Sequence, residues 1–254
     1  MKIAAVIPAR MGSSRFPGKP LAPILGCPMI EHVYRRALMC RALDDVYVAT
    51  CDPEIFESVE SFGGRALMTA STHERASDRV AEAAADLDVD VVVMIQGDEP
   101  MTHPQMIADS LTPFHNSDPD IACVNLTARI TSQEEFEDPN TIKVVMDRAG
   151  FALYMSREPI PTRQIQDFDR IAAFKQVCII PFTAAALQEF SRLAPTPLEI
   201  AESVDMMRFI EHGRKVKMVE TSFSTHAVDT PADLTYVEGL LAKDPLTRNY
   251  LKDL

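Results

Sequence analysis

The chain has 254 residues, of which 46% are hydrophobic and 24% are charged, and its formal net charge is -12 at pH 7. This composition is ordinary for a globular protein with one sizeable core. The strongly acidic balance argues against DNA or long RNA as a partner, because nucleic-acid binders usually present a basic face. No apolar run approaches the roughly 20 residues that span a bilayer, and the N-terminal apolar run is too short for a signal peptide. We therefore expect a cytoplasmic protein without a membrane segment. The five cysteines are scattered without a CxxC pair, which predicts reduced thiols.

Strand-like and helix-like segments alternate along the first hundred residues. Residues 3–9 are small or β-branched and predict a buried strand, and DVVVMIQ at 90–96 predicts another with both faces covered. The other predicted elements of this part are a helix at 28–41, a strand at 45–50, a helix that Asp52 can cap, a strand at 66–69 and a helix at 77–87. The alternation predicts an α/β fold with a mostly parallel sheet sandwiched by helices. Ligands of such sheets bind beyond the carboxyl ends of the strands.

The pattern changes in the middle of the chain. Residues 141–147 and 151–157 are strand-like and joined by a short turn, which predicts a β-hairpin, and residues 173–182 are another strand candidate. We therefore predict a small mixed-sheet insertion, at about 130–195, that carries the second substrate or a dimer contact. After it, the pattern predicts helices at 183–193, 197–212 and 231–243 and a strand at 215–220.

The loop after the first strand is rich in cations, serines and glycines. Arg10, Ser13, Arg15 and Lys19 lie within ten residues of one another. A triphosphate needs several cations to offset its charge and hydrogen-bond donors for its oxygens, so this loop is a candidate triphosphate-binding loop. The alternative is a solvated loop that is basic by chance. The loop contains neither the Walker A pattern nor GxGxxG, so a nucleotide would require another type of nucleotide-binding fold.

Two acidic segments are candidates for holding a metal ion. Asp98 follows the apolar strand directly, at the edge where ligands are expected, and magnesium prefers one or two carboxylates together with phosphate oxygens and water. Its neighbour Glu99 could instead cap the following turn. Near the C-terminus, Asp229 is the second candidate, but either Asp229 or Thr230 could cap a helix that starts at Pro231.

Taken together, these segments resemble the 3-deoxy-manno-octulosonate (Kdo) cytidylyltransferases, also called CMP-Kdo synthetases, over nearly the whole chain. The matching motifs are PAR-x-x-S-x-R-x-PGKPL at 8–21, QGDEP at 96–100, KVV-x-D and ALY-x-SR at 143–157, PLE-x-x-E at 197–202 and VDTP-x-DL at 228–234. The resemblance implies a Rossmann-like single nucleotidyltransferase domain over residues 1–254, whose smaller region at about 130–195 serves the acceptor and dimerisation. It implies a homodimer that transfers CMP from CTP to a 3-deoxy-2-ulosonic acid and releases pyrophosphate.

The resemblance also assigns roles to individual residues. The acceptor's anomeric hydroxyl is expected to attack the α-phosphorus of CTP in line, with the ion lowering the hydroxyl's pKa so that no protein base is required. Arg10, Lys19 and Asp98 are the expected catalytic residues. The assigned residues are Arg10, Ser13, Arg15, Lys19, Ser77 and Arg79 for the nucleotide, Gln96 and Glu202 for the acceptor, and Asp98 and Asp229 for Mg²⁺.

The chain departs from the family's pattern in two segments. HERASDR at 73–79 stands where the family reads H-x-SGT-[DE]-R, and Ala76 lacks the conformational freedom of the glycine there. Cys178 to Phe182 stand where the family commonly supplies glycine and tyrosine beside the sugar. These departures motivate the hypothesis of a less polar acceptor pocket, unless residues such as Arg163, Gln164 or Gln166 supply the hydrogen bonds.

Two other functions remain open at this point. The first is the same chemistry on another acid, such as a sialic-acid-like sugar, an amino-Kdo or a phosphonate. The second is a catalytically silent nucleotide-binding homologue with a regulatory role. Retention of Arg10, Lys19, Asp98 and Asp229 argues against the second.

Overall fold

The computed structural model describes residues 1–12, 15–115, 121–165 and 167–251. Within these ranges the strands are β1 (Ile3–Ala9), β2 (Pro23–Ile24), β3 (Cys27–Pro28), β4 (Asp45–Thr50), β5 (Ala66–Met68), β6 (Val91–Ile95), β7 (Val124–Arg129), β8 (Lys143–Met146), β9 (Ala152–Ser156), β10 (Phe174–Val177), β11 (Ile179–Thr183) and β12 (Lys217–Glu220). The helices are α1 (Met29–Leu38), α2 (Pro53–Ser61), α3 (Ala76–Ala84), α4 (Pro104–His115), α5 (Gln133–Glu137), α6 (Ala184–Arg192), α7 (Pro197–Glu202), α8 (Met206–Glu211), α9 (Pro231–Leu241) and α10 (Pro245–Leu251), with two short 3-10 helices at Lys19–Leu21 and Phe168–Arg170.

The chain divides into two compact units, residues 1–108 with 225–254, and residues 109–224. The second unit contains the region at about 130–195 that the sequence predicts to be distinct, and it extends beyond that region at both ends. The assignment of the whole chain to one nucleotidyltransferase domain stays a prediction. None of the helices in the described ranges has the length and apolar character needed to cross a membrane.

The first unit is built on parallel strands in the order β6, β1, β4 and β5. Every residue of β1 is buried, which explains why its sequence is continuously apolar and not alternating. Helices α1 and α3 pack against this sheet. The predicted parallel sheet with helical layers is therefore confirmed, and the carboxyl ends of β1, β4 and β6 lie side by side at one edge.

The second unit contains a mixed sheet in the order β12, β7, β10, β8 and β9. Strand β12 runs parallel to β7, whereas the pairs β7–β10, β8–β10 and β8–β9 are antiparallel. The predicted hairpin is confirmed as β8 and β9, and Gly150 in its turn has a φ of 76°. A fully buried bidentate ion pair between Arg208 and Glu199 and a cluster of Phe182, Phe190 and Phe209 fill the interior of this unit.

Two sequence-predicted elements are interrupted. The helix predicted at 197–212 is wrong as a single element, because Ser203 adopts the left-handed conformation, with a φ of 52°, between α7 and α8. The strand predicted at 173–182 is divided at Cys178 into β10 and β11, and β10 pairs with β7 and β8. Periodicity does not detect a single residue that interrupts an element, so both interruptions were missed.

Candidate functional site

The loop after β1 is closed on itself by backbone hydrogen bonds. The Gly18 amide donates to the Met11 carbonyl over 3.1 Å, and the Lys19 amide donates to the Phe16 carbonyl over 3.2 Å. Gly18 has a φ of 72°, a conformation that side chains rarely allow, and it leads directly into the 3-10 helix that begins at Lys19. The backbone at Lys19 is therefore fixed by local geometry. Ser13, which the sequence assigns to the nucleotide, lies outside the described residues.

The loop after β6 brings Asp98 to the edge of the same sheet. A Cβ atom on Gly97 would lie 2.7 Å from the Pro8 carbonyl oxygen in β1, so only glycine permits this close approach. The Asp98 carbonyl accepts a hydrogen bond of 2.9 Å from the Val228 amide, which joins the loop to the segment before α9. The two acidic segments that are distant in sequence are thus neighbours in the first unit.

The structure resolves which residue caps α9. The Thr230 side chain accepts from the Asp233 amide over 3.2 Å, and the Asp233 carboxylate accepts from the amides of Thr230 (2.8 Å) and Asp229 (3.1 Å). This capping box satisfies the first turn of the helix. Thr230 therefore performs the capping, and the Asp229 carboxylate faces the candidate site.

Four side chains converge at the edge of the sheet and form what we call the Lys19 cluster: Arg15, Lys19, Asp98 and Asp229. The Lys19 Nζ lies 2.8 Å from Asp98 Oδ2 and 3.3 Å from Asp229 Oδ1, and Arg15 Nη2 lies 3.0 Å from the same Asp229 oxygen. The Lys19 side chain is 12% exposed and each of the two carboxylates is 28% exposed, so the cluster is accessible from solvent but largely sheltered. Arg10 lies beside this loop with its side chain in solvent.

The donor set of the Lys19 cluster fits magnesium. Two carboxylates approach one cationic position, and magnesium is usually held by one or two carboxylates with the remaining positions taken by phosphate oxygens and water. A transition metal held by protein groups alone usually requires three or more ligands. No group of three or more acidic, histidine or cysteine side chains suited to a metal occurs among the described residues.

The two residues of α3 that the resemblance assigns to the nucleotide are buried. Neither the Ser77 side chain, which lies near the Met94 sulphur, nor that of Arg79 reaches the surface. Arg79 donates to the Thr69 hydroxyl and to the Ala70 carbonyl, so it holds the segment after β5. Direct contact of either side chain with a nucleotide would require a change of conformation, and their predicted role stays a prediction.

The acceptor residues assigned from the sequence lie in different units. Gln96 follows β6 in the first unit and is half-buried. Glu202, in the second unit, accepts hydrogen bonds from the Tyr154 hydroxyl (2.9 Å), the Ser156 hydroxyl (2.8 Å) and the Arg157 amide (2.8 Å). Burial opposes ionisation of Glu202, but these donors outweigh it and lower the pKa of the carboxyl. In the structure Glu202 therefore joins α7 to β9 and the residue after it through hydrogen bonds. Its contact with the acceptor stays a prediction.

The departure at 178–182 has a structural reason. The side chains of Ile179, Ile180 and Phe182 are fully buried, and Phe182 packs edge-on against Phe190. These apolar residues fill the protein interior, which accounts for their apolar character. Of the alternative residues, Arg163 and Gln164 line an open cleft of about 790 Å³ in the second unit. Gln166 lies outside the described residues.

One residue of the site was missed by the sequence analysis. Asp52 stands at the N-cap position of α2, as predicted, but it makes no side-chain cap. Its Oδ2 instead accepts a hydrogen bond of 2.7 Å from the Met11 amide and anchors the loop after β1. The register could have indicated this, because Ala9 pairs with Thr50 in parallel strands and the residues two positions further on are then neighbours.

Comparisons with known proteins give matches over most of the chain. Residues 4–217 match the family model described as cytidylyltransferase. A 3-deoxy-manno-octulosonate cytidylyltransferase of Geobacter metallireducens is 44% identical over 96% of this chain and 99% of its own length. An 8-amino-3,8-dideoxy-manno-octulosonate cytidylyltransferase of Shewanella piezotolerans is 40% identical over 96% of this chain and 100% of its own. The solved structure of CMP:2-keto-3-deoxy-manno-octonic acid synthetase complexed with CTP is 39% identical, with a TM-score of 0.89 over 96% of this chain and 99% of that one.

Proposed function

This chain belongs to the family of 3-deoxy-manno-octulosonate cytidylyltransferases, and we propose that it transfers CMP from CTP to Kdo or a Kdo-like acid. The anomeric hydroxyl of the acid attacks the α-phosphorus of CTP, and pyrophosphate leaves. The observation that carries the proposal is the Lys19 cluster, in which two carboxylates and two cations converge at the carboxyl edge of a parallel sheet. Ligands bind at this edge in open α/β sheets.

The cations of the loop after β1 bind and stabilise the triphosphate. Arg10 and Arg15 present guanidinium groups, which bond phosphate oxygens in pairs, and Lys19 presents a compact point charge. Negative charge accumulates on the pyrophosphate as it leaves, so cations that are fixed in place stabilise the transition state more than the ground state. The backbone hydrogen bonds from Gly18 to Met11 and from Lys19 to Phe16 support this fixation.

Asp98 and Asp229 would hold the magnesium ion that this chemistry requires. When bound, the ion supplies positive charge at the α-phosphate and lowers the pKa of the attacking hydroxyl. The chain's contribution is to orient the two carboxylates: Gly97 allows Asp98 to approach β1, and the capping box at Thr230 and Asp233 fixes the backbone of Asp229.

An amino-Kdo is the second candidate acceptor. It is favoured by the Shewanella piezotolerans relative, which is 40% identical to this chain and is named for the 8-amino acid. The two acids differ at one position, where a hydroxyl is replaced by an amine that is protonated at neutral pH. A site that hydrogen-bonds one of these groups rejects the other strongly, so a single enzyme is expected to prefer one acid.

The test is pyrophosphate release with CTP and a panel of acids. We expect kcat/KM to be highest for Kdo or for 8-amino-Kdo, and much lower for a sialic acid of different ring substitution. The Asp98→Asn variant is assayed in parallel, because loss of pyrophosphate release in this variant shows that the activity belongs to this protein and not to a contaminant. CTP binding without turnover on every acid of the panel would instead favour a regulatory nucleotide-binding protein.

We also propose that the protein is a cytoplasmic homodimer. The second unit exposes the large apolar side chains of Leu153, Ile165 and Ile200, and a dimer interface would remove such side chains from water. CTP is a cytoplasmic substrate, which supports the location. Light scattering after size-exclusion chromatography measures the oligomeric state, and a mass of 28.2 kDa would identify a monomer and contradict the proposed dimer.

A further inference from the structure

We propose that Lys19 competes with the metal ion for Asp98 and Asp229, so that the protein binds magnesium well only when a triphosphate is present. This inference rests on the proposed metal site and deepens it. It assigns to one residue two alternating partners: the two carboxylates in the free protein, and the triphosphate in the complex.

The geometry places the lysine ammonium where a divalent ion would have to lie. The Nζ of Lys19 is within hydrogen-bonding distance of Asp98 Oδ2 (2.8 Å) and close to Asp229 Oδ1 (3.3 Å). An ion coordinated by oxygens of both carboxylates would occupy the same space between them. The ammonium and the ion are therefore alternatives, and one leaves when the other arrives.

The charges lead to the same conclusion. In the free protein the two carboxylates carry two negative charges, and Lys19 and Arg15 carry two positive charges, so the cluster is balanced. A divalent ion added alone would either leave an excess of positive charge in a sheltered site or expel the ammonium without a new partner. A triphosphate removes both costs, because its oxygens accept hydrogen bonds from the displaced ammonium and its negative charge offsets the charge of the ion.

The backbone limits where Lys19 can go. Gly18 and Pro20 flank the residue, and the 3-10 helix that starts at Lys19 fixes its Cα. Only the four-carbon side chain is free to rotate, so the ammonium moves between two nearby positions without a rearrangement of the loop. Metal and CTP should consequently bind with positive coupling, and the coupling must be the same in both directions.

The experiment measures binding of Mn²⁺ to the nucleotide-free protein by electron paramagnetic resonance, which requires no turnover. Lys19→Met removes the competing ammonium and should tighten Mn²⁺ binding by about tenfold to a hundredfold, the range that corresponds to one charge-assisted hydrogen bond. Lys2→Met is the matched control, because it removes one lysine charge at an exposed position that pairs with Asp88. We expect the control to change Mn²⁺ affinity by less than about twofold, since exposed pairs contribute little.

A second variant at the same position keeps the test valid if Lys19→Met does not fold. Lys19→Gln retains a hydrogen-bond donor, one bond shorter and without the charge, and it should also tighten Mn²⁺ binding. Affinities of Lys19→Met and Lys19→Gln equal to that of the parent protein would overturn the competition. Adding Asp98→Asn to either variant should abolish the gain. If Asp98→Asn leaves Mn²⁺ binding unchanged in every background, the proposed metal site itself is wrong, which separates that failure from a failure of the competition alone.

Discussion

The hydrogen bond between Asp52 and Met11 gives the sharpest prediction about the candidate triphosphate-binding loop after β1. Asp52 Oδ2 accepts from the Met11 amide over 2.7 Å in a half-buried position. The bond fixes the backbone one residue after Arg10, at the point where the loop leaves β1. We predict that Asp52→Ala weakens CTP binding although the Asp52 side chain need not contact the nucleotide.

The magnitude follows from the type of bond. A hydrogen bond to a charged group contributes about 1.5–3 kcal/mol, and every ~1.4 kcal/mol changes a dissociation constant tenfold. Asp52→Ala should therefore raise the Kd for CTP by about tenfold to a hundredfold, where the upper value applies if no water replaces the lost acceptor. Asp52→Asn keeps an oxygen acceptor, and neutral hydrogen bonds are roughly half as strong, so this variant should recover much of the affinity.

The chain offers a matched control at the other end of the same strand. Asp44 Oδ2 accepts from the Ile3 amide, also over 2.7 Å, at the amino end of β1. Asp44→Ala removes the same kind of bond on the side of the sheet away from the site and should leave CTP affinity unchanged. Calorimetric titration with CTP measures both variants, and equal affinities for Asp52→Ala and Asp44→Ala would refute the reasoning.

Three further predictions concern the site and the second unit. Asp98→Asn should reduce turnover by at least about a hundredfold, because it removes a charge of the proposed metal site. CTP affinity should fall by less than about tenfold, because the cations of the loop remain. Turnover close to that of the parent protein at saturating magnesium would exclude Asp98 from the reaction. Asp233→Ala should lower Tm by about 2–4 °C, a typical loss for a helix cap in a chain of this size, and should also lower kcat by releasing the backbone of Asp229. Ser132→Ala, which removes the cap of α5, is the control that should lower Tm alone. Glu202→Gln should change how the free energy of unfolding falls at acid pH. Hydrogen bonds lower the folded pKa of Glu202 below its ordinary 4.5. The stabilisation by this carboxylate is therefore present above pH 4.5 and is lost as the pH falls through the folded pKa. Thermal unfolding between pH 3 and 7 should therefore show a shallower acid decline for Glu202→Gln, and parallel curves for the two proteins would contradict the prediction.

Several features of the fold could be predicted because their causes are local. The buried strands β1 and β6 are continuously apolar, and the hairpin of β8 and β9 is marked by its turn. The break between α7 and α8 could not be predicted, because it depends on one left-handed residue, Ser203, in an otherwise helical pattern. The division of the strand at Cys178 depends on which neighbouring strands are available for pairing. The local sequence of the segment carries no information on those neighbours.

The chemistry of the site was predicted to a similar extent. Asp98 was expected at the sheet edge because it follows a strand, and Lys19 and Arg15 were expected near a phosphate because of their loop. The sequence left open whether Asp229 or Thr230 caps α9, because both residue types satisfy a helix terminus equally well. Only the hydrogen bonds of Thr230 and Asp233 decide it.

By itself, the sequence determined the family, the parallel sheet and the candidate residues for binding a triphosphate, because these follow from local pattern and from motifs carried on single segments. The tertiary structure alone decided that Lys19 lies between two carboxylates 79 and 210 residues away, and that Asp52 anchors Met11 across 41 residues. For Asp98 and Asp52 the physical reason is that parallel strands bring their carboxyl ends together irrespective of the chain length between them. Asp229 precedes α9 and reaches the same edge through the hydrogen bond from the Val228 amide to the Asp98 carbonyl. The partners of a charge at that edge are therefore set by strand order, register and long-range hydrogen bonds, which no local segment contains.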